Sequence, residues 1–372
     1  MERELDALGR VIEDTVRPAA GRVDATGEFP RASIDALAEA GLLGLTVGES
    51  AGGGGGGLAD AAQVVRALAG ACGSTAMVVL MHYAATVVLD QYGPEGVRKA
   101  IAAGEHLTTL AFSEEGSRSQ FWAPLSTAVA VGTQVRLDAR KSWVTAAGEA
   151  NSYVWSSRPL SADGPMTLWL VPADAAGLSA PGRFDGLGLR GNRSAPLTAD
   201  GVEVKRDSML GDDGAGLDIA MAVVLPWFLV LNAAFSVGLM EAVTDETGNH
   251  LTATRFEHLG QTLAESPLTR ADHARMRIAT DQAAALLADT ITAVTNSRED
   301  AMLRVLEVKA AAGEAAAAVT DLGLKVCGGA AFRKELGIER SFRDARAARV
   351  MAPTTDALLD FVGRAINGLP LL

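Results

Sequence analysis

VCGGAAFRKELGIERSFRDARAARVMAPTTDALLDFVGR, residues 326–364, joins a glycine pair at the end of an alanine-rich run to an Arg/Asp segment, a Pro-Thr-Thr-Asp turn and a final amphipathic run. Glycine takes positive φ at low cost and so can end a helix. Arginines beside such a turn are suited to phosphate oxygens. The pattern predicts a phosphate-holding turn between two helices of a bundle.

The rest of the chain bounds that reading. At 372 residues it is long enough for two or three sub-domains packed as one body, and 48% hydrophobic with 21% charged residues describes a soluble globular protein. A net charge of −12 argues against a surface built for nucleic acid or for an anionic membrane, while leaving room for a local basic pocket. The two cysteines, Cys72 and Cys327, give neither a disulfide framework nor zinc spacing and point to a reducing compartment. The opening MERELDALGRVIEDTV alternates charge with apolar residues and lacks the apolar core of a signal peptide, so a cytoplasmic location is expected. From Ile219 to Met240 no residue is charged, which is long enough to span a bilayer. Pro226, Asn232, Ser236 and Gly238 interrupt it and no basic anchor flanks it, so a helix buried inside a bundle is expected and no membrane span.

Helical spacing of apolar residues, as at Leu5, Leu8 and Ile12 and at Ile34, Leu37 and Ala38, predicts a helical domain over residues 1–106. The six glycines from Gly52 to Gly57 lack the Lys-Ser or Lys-Thr of a phosphate loop and read as a flexible surface loop. His82 lies among Met77, Leu80 and Ala84 and reads as a satisfied buried histidine. Over 107–212 short β-prone runs separated by Gly, Asp, Asn and Pro predict a small barrel or sandwich, with strands at 108–112, 128–137, 142–145, 152–156, 166–171 and 196–204. Over 213–372 the runs 215–250, 269–296, 300–327 and 354–367 predict a helical bundle. The fold class is mainly α with an inserted β-domain.

Four stretches carry a resemblance. AFSEEGSRSQFWAP at 111–124 is similar to a Leu-Thr-Glu-Pro-x-x-Gly-Ser-Asp segment. DARKSWVTAAGEANSYVWSSR at 138–158 is similar to Asn-Gly-x-Lys-x-Trp-Ile-Thr-Asn-Ala. GLGLRGNRSAPLTADGVEV at 186–204 resembles Gly-Leu-Arg-Gly-Ser followed by Phe-x-x-Val. Residues 326–364 resemble a Gly-Gly hinge followed by Tyr-Arg-Asp-Ala-Arg and Gly-Thr-x-Glu. In this order they resemble the acyl-CoA dehydrogenase superfamily of flavoproteins over essentially the whole chain.

The resemblance implies FAD as cofactor. A flavin needs hydrogen-bond donors at its ring edge, a flat wall beside the ring and neutral or positive groups around its diphosphate. By similarity Phe112 and Ser113 meet the pyrimidine side, Trp143 is the ring wall, Thr145 donates near N5, and Ser119 stands at the mouth of the site. A partner subunit supplies the remainder: Arg255 near the diphosphate, Lys325 in place of an amide, the Gly328-Gly329 hinge, Thr354, and Asp356 as cofactor ligand or plain helix cap. A shared cofactor implies a homo-oligomer, dimer or tetramer. The substrate implied is an acyl thioester of coenzyme A or of a carrier protein, with an electron acceptor or a flavin reductase as redox partner.

One departure stands out. α,β-Dehydrogenation of a thioester needs a carboxylate within reach of the α-proton. The superfamily's usual Glu position holds Ala352, with Pro353 where glycine is usual, and the alternative position on the first bundle helix falls at Trp227-Phe228-Leu229. Glu114, Glu115, Asp218 and Glu241 are the nearest other acids in sequence terms. Arg118 also replaces a glycine of the flavin loop. Three readings follow: a dehydrogenase with a displaced base or an unusually acidic substrate, a flavin-dependent monooxygenase of the same fold, and a cofactor-holding subunit of a heteromeric dehydrogenase.

Overall fold

A computed structural model describes residues 2–118, 120–182 and 184–371. Helices come first, at Glu2–Val11, Arg17–Thr26, Arg31–Glu39, Leu58–Ala69, Gly73–Tyr92 and Glu95–Ala102 (α1 to α6). Strands follow at Thr108–Ala111, Thr127–Val131, Gln134–Val144, Ser152–Ser157, Thr167–Pro172, Leu178–Ser179, Ala195–Lys205 and Met209–Leu210 (β1 to β8). Short α7 (Gly216–Ile219) and a π-turn at Ala220–Val224 lead into long α8 (Leu225–Ala253). A two-strand ribbon, Arg255–Phe256 with Gln261–Thr262 (β9, β10), precedes α9 (Pro267–Thr295) and α10 (Ala301–Cys327). Then come α11 (Gly329–Phe332), α12 (Ile338–Ala345), α13 (Ala347–Val350) and α14 (Thr355–Ile366). The order is helical, β, helical, as the sequence predicts.

The chain divides into two compact units. The first comprises residues 1–61, 77–185 and 190–228, and its strands form two four-stranded sheets, ordered β1-β4-β5-β8 and β2-β3-β7-β6. β4 is buried at every position, around Trp155, because both its faces are covered. β3 instead alternates at its start, with Val135 and Leu137 inward and Gln134 and Arg136 outward. The apolar run 128–137, read as one strand, is a hairpin: Gly132 at φ 58 turns the chain from β2 into β3.

The run Gly52–Gly57 is a surface loop but not a flexible one. The N–H groups of Gly54, Gly55 and Gly56 donate to Gly44, Val47 and Leu45, and a Cβ at Gly53 would meet the Val47 oxygen at 2.3 Å. The glycines are there because the loop folds back against its own neck.

The second unit comprises residues 62–76, 186–189 and 229–372. Alanine and glycine let its helices approach closely: a Cβ at Gly238 would meet the Arg66 carbonyl oxygen at 2.1 Å. Two helical stretches, Gly73–Tyr92 and Gly216–Ala253, are long and apolar enough to cross a membrane, yet 94% and 72% of their most apolar windows are buried inside the protein. They are core helices, which accounts for the uncharged stretch from Ile219.

Candidate functional site

The motif stretches meet in two groups. In the first unit, Glu114 and Lys141 form an ion pair at 2.5 Å with both side chains out of contact with water. Lys141 Nζ also donates to the Ser156 carbonyl (2.7 Å) and Oγ (2.9 Å), and sits 5.0 Å from the centre of the Trp155 ring. Glu114 accepts from the backbone N–H groups of Leu125 (2.5 Å) and Ser126 (3.0 Å) and from the Ser126 hydroxyl. Burial pushes the Glu114 pKa up, but the Lys141 charge and these donors outweigh it and hold the carboxyl below its ordinary range. Burial pulls the Lys141 pKa down to about 8 against the opposing pull of Glu114, so the pair is charged at neutral pH.

That buried pair sets the residues beside it. Ser142 N–H donates to the Ser113 carbonyl at 2.9 Å, and Glu115 N–H to the Arg140 carbonyl at 3.0 Å. The β3–β7 register slips between Lys141 and Val144, and within that slip Trp143 has φ 57. A bulky residue rarely takes this conformation. Here it turns the indole outward, 71% exposed, with the Phe184 ring edge-on at 6.4 Å. Phe112 and Thr145 are buried, and the Thr145 hydroxyl lies 3.2 Å from that of Ser194. Ala146 and Ala147 N–H donate to the Asn192 and Arg193 carbonyls, so the 138–158 and 190–194 stretches are bound together. Arg118, at the position where the resemblance has glycine, stands at φ 47. Ser119 lies outside the described residues.

In the second unit, Asp344 accepts the Leu189 N–H at 2.6 Å and Arg343 donates to the Leu187 carbonyl at 3.1 Å. The Arg-Asp motif thus grips the Gly-Leu-Gly-Leu motif. Gly328 ends α10 at φ 54, and a Cβ at Gly328 or Gly329 would meet nothing, leaving bare backbone there. Arg255 lies in the β9–β10 ribbon and donates to the Gly260 carbonyl at 2.7 Å. Lys325 pairs with Asp272 at 2.8 Å. Its charge, expected in place of an amide near the phosphates, also serves that carboxylate.

Thr354 caps α14, its hydroxyl accepting the Ala357 N–H at 3.3 Å, whereas Asp356 is exposed in the helix's first turn. Of the two roles weighed for Asp356, the capping one falls to Thr354.

The acids near the flavin-loop and first bundle-helix stretches divide as well. Glu114 is held by Lys141, and Glu241 forms a two-pronged pair with Arg66. Glu115 is exposed, and Asp218 lines a cleft with Tyr92, Asp212 and Val223. The sequence reading missed Lys309, which it took as one residue of an alanine-rich helix. It is 1% exposed, and its Nζ donates to the carbonyls of Ala348 (2.9 Å), Met351 (3.0 Å) and Pro353 (2.8 Å). A lysine at a core-facing position among alanines is the signal that could have found it.

Comparison with known proteins fits this architecture. The sequence profiles of the acyl-CoA dehydrogenase N-terminal, middle and C-terminal domains match residues 3–105, 109–202 and 214–367. The human mitochondrial short-chain specific acyl-CoA dehydrogenase is 27% identical over 354 residues, covering 92% of this chain and 84% of that protein. The butyryl-CoA dehydrogenase structure from Megasphaera elsdenii superposes with a TM-score of 0.91 at 20% identity, covering 99% of this chain and 98% of that one. A prolyl acyl carrier protein oxidase superposes with a TM-score of 0.88 at 19% identity, covering 98% and 99%. At these identities the two structural likenesses are ones of fold. The chain belongs to the acyl-CoA dehydrogenase family, and is an oxidoreductase of that kind.

Proposed function

We propose that this chain binds FAD and oxidises an acyl thioester between its α and β carbons, with no carboxylate at position 352. The observation that carries the reading is Trp143: an exposed indole with a left-handed backbone, two residues along β3 from the Lys141 of a buried ion pair. A flat wall of this kind suits a planar cofactor, and its strained backbone is otherwise a cost of about 1–3 kcal/mol without return. The groups around it fit a flavin, since the nearby carboxylate, Glu114, is neutralised by Lys141 and the hydroxyls of Ser113 and Thr145 are uncharged donors. When bound, the flavin supplies the acceptor for the hydride that leaves the β carbon.

The protein's own work is to hold and exclude. Ser113, Trp143 and Thr145 orient the ring. Gly328-Gly329 and Arg255 of a second copy serve the diphosphate, which makes the assembly a dimer or larger, and Lys325 contributes there only when it releases Asp272. Proton removal falls to a group other than residue 352. With Glu114 and Glu241 already held by cations, substrates whose α-hydrogen is made acidic by a neighbouring group are favoured. The thioester is carried by coenzyme A or by a carrier protein, electrons leave to a soluble acceptor, and the location is cytoplasmic. The missing carboxylate also favours a second reading, a monooxygenase whose flavin is reduced by an external donor.

The test is Ala352→Glu beside the wild type, with simple acyl-CoA esters as substrates. Restoring the carboxylate should speed flavin reduction by about 100-fold or more, within the range of a general base. No gain, together with oxygen incorporated into product when reduced nicotinamide is supplied, is the outcome of the monooxygenase reading.

A further inference from the structure

Lys309 projects from the middle of α10, with Gly313 one turn further along the same face and close to Ala348. Its ammonium has three N–H donors and meets three carbonyl acceptors, those of Ala348, Met351 and Pro353. The first belongs to α13, and the other two flank Ala352. No carboxylate among the described residues lies within ion-pair distance of Nζ, in contrast to Lys141 and Lys325. On another side of the same turn, the Asn232 amide of α8 lies 3.8 Å from the Met351 sulfur.

Burying an ammonium without a counter-charge costs stability even when it is well hydrogen-bonded. A methionine or leucine would fill this place without burying a charge, but would leave the three carbonyls without donors. What lysine adds is placement: each of its three protons fixes one backbone oxygen, and two of them hold the Met351–Ala352 and Pro353–Thr354 peptide units on either side of residue 352. A helix end normally leaves such carbonyls to water.

We infer that Lys309 is the positioning residue of the Met351–Pro353 turn, its head fixing where the side chain at position 352 stands. The effect on turnover rests on the proposed function; the effect on the turn does not.

The experiment compares wild type, Lys309→Met and Lys309→Gln, each alone and combined with Ala352→Glu. Hydrogen–deuterium exchange of the purified full chain reads the turn without catalysis, and steady-state kinetics reads its consequence. In K309M, exchange over residues 347–356 should rise about tenfold while β4 and α9 stay as in wild type. In the A352E background the same substitution should lower kcat about tenfold with KM nearly unchanged, because a carboxylate displaced by an ångström loses its reach to the proton. K309Q, which keeps two donors, should fall between wild type and K309M, and serves alone if K309M does not fold.

Unchanged exchange at 347–356, or a rise spread evenly over the chain, overturns the inference. If A352E brings no activity at all, the exchange result still decides the role of Lys309, and the failure belongs to the proposed function.

Discussion

Two lysines, Lys141 and Lys309, are each 1% exposed, and their surroundings have little in common. Lys141 lies between strands, paired with Glu114 and backed by Ser156 and Trp155. Lys309 lies between helices and meets only backbone oxygens, one of α13 and two of the turn that follows it. The first is a balanced charge pair, which tolerates burial because each ion satisfies the other. The second has no counter-charge among the described residues, burial pulls its pKa down to about 7, and its donors go to the backbone around position 352. The β-domain thus balances its buried charge within one pair, whereas the helical unit commits a buried lysine to the segment that holds Ala352.

Breaking the balanced pair should have the largest effect. Glu114→Gln leaves Lys141 charged and buried without its partner, and unfolding in urea should show a loss of about 3–5 kcal/mol. Adding Lys141→Met should recover most of it. His82 sharpens the contrast, being a buried base kept neutral: Nε2 lies 3.0 Å from the Leu43 carbonyl and Nδ1 accepts the Thr108 N–H at 3.2 Å. Burial lowers its pKa to about 4. Between about 4 and 6.5 the unfolded chain therefore binds the extra proton, so stability falls as pH drops through that window, by roughly 3 kcal/mol in all. Melting curves of wild type and His82→Gln between pH 7 and pH 4 should converge as the wild type loses this contribution.

Lys309→Met should cost less than breaking the pair, about 1–3 kcal/mol, because methionine removes the charge along with the donors and leaves only carbonyls unsatisfied. Denaturation midpoints of the two variants measured side by side rank them; the reverse order would undo the comparison. The smallest effect belongs to Thr354→Ala. Losing the cap of α14 should lower stability by about 1 kcal/mol, whereas Asp356→Ala should change it by a few tenths.

Helix and strand placement was legible because the periods differ: residues 215–250 and 300–327 read as helices and formed at Leu225–Ala253 and Ala301–Cys327. The turn inside 128–137 was not legible, since Gly132-Thr133 sits in an unbroken β-prone run and only pairing exposes the hairpin. The glycine run misled in a physical way, because glycine marks close approach as readily as freedom. In the candidate site, Trp143 could be singled out between Lys141 and Thr145, but its outward turn depends on a register slip that side-chain chemistry does not announce. The partners of Lys309 and Asp344 lie far away in sequence, so neither role could be read from local pattern.

The most direct measurement is the flavin absorbance of the purified protein, without oxygen, during titration with acyl thioesters on coenzyme A and on carrier-protein arms. Oxidation between the α and β carbons predicts bleaching by at least one thioester, with the matching α,β-unsaturated product. Absorbance that no thioester changes, but that falls on adding reduced nicotinamide or a flavin reductase, would contradict it.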